Sequence, residues 1–467
     1  MNFDPASSTA LEIATAVRAR HVTARAVAES ALARISSTHS QLNAFTAVTA
    51  ERALLEADAV DAALAAGRDP GPLAGAPYAV KNLFNLAGVT TVAGSKINRA
   101  DPPATEDSTA VARLRTAGAV CLGALNMGEY AYDFVTDNAH DGATHNPRDL
   151  TRSAGGSSGG SGAAVAAGLV PFSLGTDTNG SIRVPSSFCG IWGLKPTYGR
   201  LSRGGSFPFV DSLDHIGPLA RSVNDLAATY DAMQGRDTRD HVCVKRPVEL
   251  AMPELSAGLG NLRVAVLGGY FEKGGDPQAH AAVTAIAAAL GVTRRVEFPE
   301  AATARAAAYI ITATEAGRLH LGRLKTQAAD FDPAARDRLL AGALAPAAWY
   351  LQAQKFRAWF RERVREVFRD VDVVLAPATP VPATLIGQQM MTLDGMELPV
   401  RPNLGIFTQP ISFIGLPVVA APVHSVGPLP MGVQLIAAPW RENVALRVAR
   451  VLEAGGICAS SAALLAA

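Results

Sequence analysis

Two short turns hold the residues whose types and spacing could do chemistry. The first turn, residues 154–162, reads AGGSSGGSG, and the second, residues 176–183, reads TDTNGSIR. Between them lie a run of small residues that favours a helix and an apolar run that favours a strand. Glycine permits unusual backbone angles and lets main-chain N–H groups approach a bound molecule closely. The pattern therefore predicts a backbone arranged around a small ligand.

Generic motifs account for this segment less well. No Gly-Lys-Ser/Thr follows the first glycines, as a phosphate loop requires, and no G-x-G-x-x-G follows a strand, as a dinucleotide site requires. Residues 156–160 satisfy G-x-S-x-G, the serine hydrolase elbow, but the preceding HNPRDLTRSAGG is not the apolar strand that an elbow needs. A flexible Gly/Ser linker would explain residues 154–162 but not the strand and second turn that follow.

The longer pattern resembles a known family. GGSSGGSGAAVAAG followed by GTDTNGSIRVPSSFCGIWGLKPT is similar to the signature sequence of the amidase signature family of serine hydrolases. Upstream, GAPYAVKN (75–82) resembles the lysine motif of that family. Further similar pieces follow in order: NM (126–127), NP (146–147), SLDHIGP (212–218), PATP (377–380) and LPMGVQ (429–434). The resemblance therefore covers most of the chain.

The resemblance implies a Ser–Ser–Lys triad instead of Ser–His–Asp. On the matching positions Ser181 is the nucleophile, Ser157 the bridging serine and Lys81 the base. The interval of 24 residues between the two serines fits the family, which also implies a cis peptide bond between Gly156 and Ser157. The implied oxyanion hole consists of the main-chain N–H groups of Thr178, Asn179, Gly180 and Ser181.

The physics of a lysine base agrees with this assignment. A lysine accepts a proton only when it is neutral, so its pKa must fall from about 10.4 towards about 7–8. Burial among apolar neighbours disfavours the charged form, and Lys81 stands in the sequence YAVKNLF. Ser157 would relay the proton from Ser181 to Lys81 and return it to the leaving nitrogen. An acyl-enzyme would form and then be hydrolysed.

Other polar residues of the segment are interpreted as supports. The resemblance places Asp177 and Arg183 behind the second turn, where they would hold its shape without touching substrate. The sequence departs from the usual family pattern twice: Asn82 replaces an aspartate after the lysine, and Asn179 replaces a common glycine in the oxyanion turn. Both departures indicate specialisation and weigh against a generic glutamine-hydrolysing subunit. The hydroxyl groups of Ser158 and Ser161 are also interpreted as structural.

The substrate is less directly encoded than the triad. Overall similarity to the ureide-hydrolysing members predicts ammonia release from a small ureide that carries a carboxylate. Such an anion needs an arginine clamp, for which Arg318 and Arg401 are the candidates. The alternatives are the glutaminase (A) subunit of a tRNA-dependent amidotransferase, and a general aliphatic or aryl amidase. A catalytically dead binding protein and an α/β-hydrolase esterase are the remaining alternatives.

Strands alternating with helices must position these residues. The pattern predicts helices over residues 7–68, strands at 78–80 and 89–92, and further strand–helix alternation to a closing helix at 442–454. We therefore expect a single α/β domain over residues 1–467. Its helical segment 1–68 would pack on the core and its signature region would span 154–199. The resemblance implies a mixed sheet covered by helices on both faces.

Composition excludes several classes of protein. The chain of 467 residues has 42 Lys and Arg against 41 Asp and Glu, so it offers no basic field for direct nucleic-acid binding. It has no long apolar run for a membrane span, and its four scattered cysteines favour a reduced, cytoplasmic setting. No metal-ligand cluster is visible and the chemistry implies no cofactor. Similar proteins suggest two partners: a second copy of the chain and a small helical protein.

Overall fold

An eleven-stranded mixed β-sheet runs through the computed structural model, which describes residues 4–463 and 465. The sheet order is β1-β3-β2-β8-β10-β9-β16-β17-β13-β11-β12. Its strands, in chain order, are β1 Phe45–Val48, β2 Pro77–Lys81, β3 Val120–Leu125, β8 Phe172–Asp177, β9 Trp192–Lys195, β10 His215–Ala220, β11 Val264–Leu267, β12 Arg295–Val296, β13 Val373–Pro377, β16 Val418–Val423 and β17 Met431–Ala437. Three small ribbons pair β4 Asp137–Asn138 with β5 Gly142–Ala143, β6 His145–Asn146 with β7 Asp149–Ser153, and β14 Met390–Leu393 with β15 Met396–Pro399.

Helices connect and cover the strands. In chain order they are α1 Ala10–Arg18, α2 Ala24–Leu42, α3 Ala50–Ala65, α4 Thr109–Thr116, α5 Gly159–Ala166, α6 Arg183–Cys189, α7 Val223–Met233, α8 Pro277–Ala289, α9 Ala301–Gln327, α10 Pro333–Ala343, α11 Ala347–Val367, α12 Val400–Asn403, α13 Gln409–Phe413 and α14 Glu442–Ala454. No helix in the described part of the chain is both long enough and apolar enough to cross a bilayer.

Burial explains why the central strands are apolar without alternation. Every residue of β2, β3, β8, β10, β16 and β17 is buried, which requires cover on both faces of the sheet. Helices α5 and α6 contact each other and the sheet, and so do α7 and α14. The predicted α/β fold with a mixed sheet in one large domain is thereby confirmed. Buried side chains of α1–α3 belong to the same hydrophobic core.

The topology brings the two halves of the site to one edge. Strands β2 and β8 are parallel neighbours, with Val80 opposite Leu174. The carboxyl ends of parallel neighbours meet at the same edge of a sheet. Lys81 is the last residue of β2, and the second turn follows β8. Helix α5 begins at Gly159, within the first turn, and so carries that turn to the same edge.

Two predictions about local structure were wrong. The β-branched run Val89–Val92 is irregular chain, because the N–H of Val89 bonds locally to Leu86 and the N–H of Ala93 bonds to Asn82. Residues 7–68 are not helical throughout, since β1 lies between α2 and α3 and pairs with β3. The second error arises where long-range strand pairing decides the conformation against local propensity.

Candidate active site

Lys81 lies fully buried at the carboxyl end of β2. Its Nζ donates to Ser157 Oγ at 2.8 Å and to Thr176 Oγ1 at 2.8 Å. Burial lowers the pKa of Lys81 to about 7, although the charges of Asp133, Asp214 and Asp177 act in the opposite direction. The amine is therefore available in its neutral form near neutral pH and is already hydrogen-bonded to a serine.

Ser157 lies in the first turn, two residues before helix α5 begins. The Gly156–Ser157 peptide is cis, as the resemblance implies, and the Ser157 side chain is fully buried. The two neighbouring serines have other tasks. Ser158 Oγ donates to the main-chain oxygen of Thr176 at 3.2 Å, and Ser161 Oγ donates to that of Leu174 at 2.9 Å. These bonds fasten α5 to β8 and agree with the structural role expected of both hydroxyls.

The central part of the second turn, residues 178–181, lies between β8 and α6. Gly180 has φ of 145°, and a Cβ there would lie 2.5 Å from Thr408 Oγ1, so only glycine fits. Thr408 Oγ1 in turn donates to the main-chain oxygen of Asn179 at 2.6 Å. Among the described residues, no acceptor binds the main-chain N–H groups of Asn179, Gly180 or Ser181. Such free donors are what a developing oxyanion requires.

A buried ion pair holds this turn from behind. Arg183 Nη2 and Nε donate to the two oxygens of Asp177 at 2.8 and 2.9 Å, and the N–H of Ile182 donates to the same carboxylate at 3.2 Å. Burial alone would raise the pKa of Asp177, but the Arg183 guanidinium outweighs it and keeps that pKa well below its usual value. Arg183 also donates to Gln434 Oε1 at 2.6 Å. Both residues occupy the supporting position that the resemblance implies.

We expect Arg183→Met to lower the free energy of unfolding by about 3–5 kcal/mol, because it leaves the Asp177 carboxylate buried without its counter-charge. Urea denaturation of the variant and the wild type measures this difference. Arg25→Met, which breaks the exposed pair of Arg25 with Asp58, serves as the matched control and should change stability by less than about 1 kcal/mol. Equal effects of the two substitutions would contradict the structural role of the buried pair.

A pocket adjoins the second turn. Ser181 is 3% exposed and lies on its wall. The polar side chains on the wall that could contact a substrate include those of Asp133, Thr178, Asn179, Ser181, Thr312 and Arg338. The structure therefore joins Lys81 to Ser157 by a hydrogen bond and places Ser181, with its free main-chain donors, on the wall of a pocket.

The two arginines predicted to bind the substrate carboxylate, Arg318 and Arg401, lie in different places relative to the pocket. Arg318 is exposed on α9 and takes no part in the pocket wall. Arg401 lies near the pocket, but its guanidinium is 3.6 Å from Asp133 Oδ2 and 3.5 Å from Asp137 Oδ2. The structure therefore leaves Arg318 outside the pocket, because the helix turns that side chain to solvent, and Arg401 is already engaged by two carboxylates.

Sequence reasoning missed Arg338, which lines the pocket from α10. Its Nη2 donates to the main-chain oxygen of Tyr132, and its guanidinium lies 3.9 Å from the centroid of the Tyr132 ring. No carboxylate within residues 4–463 or at 465 forms an ion pair with it. The only usable signal was the run of arginines in PAARDRLL, which does not indicate which of them faces a cavity.

No three His, Cys, Asp or Glu side chains come together as potential metal ligands in the part of the chain that the structure describes. His215 Nδ1 lies 3.0 Å from the main-chain oxygen of Asp177 and 2.6 Å from that of Leu213. Burial, the largest cause, lowers the pKa of His215 well below its usual value. This histidine therefore stays neutral behind the ion pair.

The chain is similar in sequence to known amide-cleaving proteins over most of its length. The family model described as Amidase matches residues 26–446. The chain is 54% identical over 450 residues to AtzE, a component of the 1-carboxybiuret hydrolase of Pseudomonas sp. (strain ADP), covering 96% of this chain and 98% of that protein. It is 38% identical over 470 residues to the A subunit of the glutamyl-tRNA(Gln) amidotransferase of Chromohalobacter salexigens, covering 94% and 95%.

A solved structure is similar over the same length. It is described as a vestigial protein complex that reveals the evolutionary origins of an s-triazine catabolic enzyme. The superposition has a TM-score of 0.96 at 53% identity and covers 97% of this chain and 100% of that chain. The likeness therefore extends over sequence and fold together.

Proposed function

This chain belongs to the amidase family, and on that premise we propose that it hydrolyses 1-carboxybiuret with release of ammonia. Amide C–N hydrolysis follows from the family, and the 54% identity to AtzE of a 1-carboxybiuret hydrolase supports the substrate. The observation that carries the chemistry is the 2.8 Å bond from Lys81 Nζ to Ser157 Oγ, made by a buried lysine at the end of β2, the parallel neighbour of the strand that leads to Ser181.

Each residue of the triad has one task in the proposed mechanism. Neutral Lys81 takes a proton from Ser157, which takes one from Ser181 as that hydroxyl attacks the carbonyl carbon. The same relay then protonates the leaving nitrogen, so that ammonia departs and an acyl group stays on Ser181. Water hydrolyses this ester by the reverse path. Thr176 accepts the second hydrogen bond of Lys81 and so keeps the amine aimed at Ser157.

The second turn stabilises the charge that develops on the carbonyl oxygen. Within the described residues, the N–H groups of Asn179, Gly180 and Ser181 are unpaired, and they belong to one tight turn, which the ion pair of Asp177 and Arg183 keeps rigid. Preformed donors need no reorganisation at the moment of reaction, and each is typically worth about 10²–10³ in rate. Thr178 completes the turn, and its hydroxyl donates to Asp214 at 2.6 Å.

Arg338 is our candidate for binding the carboxylate of the substrate. It contributes a positive charge to the pocket wall, and the neighbouring Asp133 pairs with Arg401 instead. A guanidinium binds a carboxylate through two parallel hydrogen bonds, which fixes orientation as well as affinity. With the carboxylate held at α10, the far end of a short linear ureide is free to reach Ser181.

We expect Arg338→Met to raise the KM for 1-carboxybiuret about 10- to 100-fold, which corresponds to a charged hydrogen bond of about 1.5–3 kcal/mol. The KM for biuret, which lacks the carboxylate, should change by less than about threefold. Steady-state ammonia release measures both constants. Arg318→Met is the matched control, because Arg318 is exposed and outside the pocket. Parallel losses on both substrates would remove Arg338 from this role.

The second candidate function is the glutaminase (A) subunit of a tRNA-dependent amidotransferase, favoured by the 38% identity to a protein of that name. A general aliphatic or aryl amidase is the third. One panel separates them: ammonia release from 1-carboxybiuret, biuret, allophanate, glutamine and simple aliphatic and aryl amides, with Ser181→Ala as the blank. We expect Ser181-dependent turnover to favour 1-carboxybiuret. A preference for glutamine would contradict the proposal.

We also propose an assembly and a location. The similar solved structure is described as a protein complex, which supports a partner protein for this chain. We propose a small helical protein as that partner, and a homodimer as the other assembly. Light scattering of the purified protein, alone and after copurification from its own cell, measures both. All four cysteines are buried and free, which agrees with a reducing cytoplasm.

A further inference from the structure

Two oxygen atoms of the pocket residues lack a hydrogen-bond donor. Asn179 Oδ1 and Asp133 Oδ1 are both buried, and neither accepts a well-aligned hydrogen bond from a residue that the structure describes, although the main-chain N–H of Thr136 lies near the Asp133 carboxyl group. Both residues line the same pocket as Ser181. Buried polar groups are nearly always paired in native proteins, so two unpaired acceptors in one pocket require an explanation. A ligand rich in N–H donors supplies one.

A hydrogen bond of its nitrogen fixes the Asn179 side chain and leaves its oxygen unpaired among the described residues. Its Nδ2 donates to Thr312 Oγ1 on α9 at 2.8 Å, and its main-chain oxygen accepts from Thr408 Oγ1 at 2.6 Å. Residue 179 also stands two positions before Ser181, within the turn that surrounds the reacting carbonyl. A substrate group that contacts Asn179 Oδ1 is therefore adjacent to the scissile bond.

Asp133 offers the second acceptor beside the first turn. Its Oδ1 lies so close to Gly156 that a Cβ there would approach it to 2.6 Å, which places the carboxyl group against the Gly156–Ser157 peptide. Its Oδ2 is 3.6 Å from Arg401 Nη1. The carboxylate thus has one oxygen towards a positive charge and one without a partner among the described residues.

We propose that Asn179 determines specificity by accepting a hydrogen bond from a ureido N–H next to the scissile carbonyl, with Asp133 as a second acceptor. This inference rests on the proposed function, because it takes Ser181 as the nucleophile. A pocket with buried unpaired acceptors penalises a substrate that places methylenes there, and such sites discriminate far better than purely apolar ones. The pocket therefore selects ureides over glutamine-like amides.

Two small molecules isolate the contact. Biuret presents an N–H on each side of its carbonyl groups. Glutaramate, the monoamide of glutarate, has the chain length of 1-carboxybiuret but carries methylenes in place of its internal N–H and C=O groups. If Asn179 recognises an N–H, removing its side chain weakens the binding of biuret and hardly affects that of glutaramate.

The test measures how each ligand protects Ser181 from labelling by phenylmethylsulfonyl fluoride, followed by peptide mass spectrometry. Asn179→Gly restores the glycine that is common in the family, and thermal unfolding verifies that the variant is folded. We expect its protection constant for biuret to weaken about 10- to 100-fold, and that for glutaramate less than about threefold. Asn443→Gly is the matched control, since that amide bonds to Glu254 on another surface.

Each other outcome is decisive. Equal weakening for both ligands, unchanged protection by biuret, or a wild type that biuret does not protect would overturn the role of Asn179. Absence of labelling at Ser181 in the wild type would instead refute the proposed function, so the two failures are distinguishable. The second acceptor is tested by Asp133→Asn in the same assay. Its protection constants for biuret and for glutaramate are compared with those of the wild type.

Discussion

Ser181→Ala is expected to lower kcat/KM for ammonia release from 1-carboxybiuret by about 10⁵–10⁶, since removal of an activated serine nucleophile eliminates the covalent route. Ser181 is the serine on the pocket wall beside three main-chain donors that no described residue accepts from. Folding should be unaffected, because the Ser181 hydroxyl makes no hydrogen bond with a described residue. Steady-state ammonia assays and far-ultraviolet circular dichroism measure the two quantities.

Ser158→Ala is the matched control for that substitution. Ser158 is also a buried serine of the signature region, but its hydroxyl bonds to the main chain of Thr176 and not to Lys81. Its loss should cost about 1 kcal/mol of stability and less than about tenfold in rate. A Ser158 variant as inactive as the Ser181 variant would contradict the assignment of the nucleophile.

Lys81→Met is expected to lower kcat/KM by about 10⁴–10⁶ at pH 8, because no other neutral base among the described residues contacts Ser157. In the wild type, the base must be neutral to act and burial places the pKa of Lys81 at about 7. Activity should therefore rise as the pH increases through about 7 and level off above it. A pH profile of kcat/KM for the wild type measures this limb.

Lys195 provides the matched control for that profile. It is a second fully buried lysine whose pKa burial lowers to about 7, but its Nζ donates to the main-chain oxygens of Leu416 and Pro196 and to no serine that the structure describes. Lys195→Met should keep the acid limb in place. The assignment of Lys81 as the base would be contradicted by two results together. The rise of kcat/KM through about pH 7 would disappear in Lys195→Met, and it would persist in a partly active Lys81 variant.

The same substitution of Lys81 should affect stability in the opposite sense. The pKa of Lys81 is about 7 when folded and near 10.5 when unfolded, so the unfolded chain binds more protons between those values and stability rises with pH. Below about pH 7 the cost of charging a buried lysine is complete. Lys81→Met should then raise the free energy of unfolding by on the order of 1–4 kcal/mol at pH 6, and by less at pH 10. Urea denaturation at both values provides the measurement, and a loss of stability at pH 6 would argue against a strained lysine.

The positions of the proposed triad could be predicted because the elements that carry them are encoded locally. Ser157 and Ser181 stand in glycine-containing turns whose composition is itself unusual, and Lys81 follows an apolar strand. The parallel pairing of β2 and β8 then brings distant positions together. In such a site, the residue types and the strand order that the family imposes already determine most of the geometry.

The pocket could not be predicted in the same way, because helix phase decides it. Thr312 on α9 faces the pocket, and Arg318 follows it by six residues. At about 100° per residue, six residues rotate the side chain by about 240°, which takes it off that face. Arg338 reaches the wall only because α10 packs back on α9, a contact that no local pattern in the sequence indicates.

Rapid-quench mass spectrometry of the wild type mixed with 1-carboxybiuret shows directly whether Ser181 is the nucleophile. We expect a transient acyl adduct, of the mass of the substrate less ammonia, on the peptide that contains Ser181. The adduct should form more slowly at pH 6 than at pH 8 and should be absent from Ser181→Ala. Ammonia release by Ser181→Ala at the wild-type rate, or an adduct on any other residue, would contradict the assignment of Ser181 as the nucleophile.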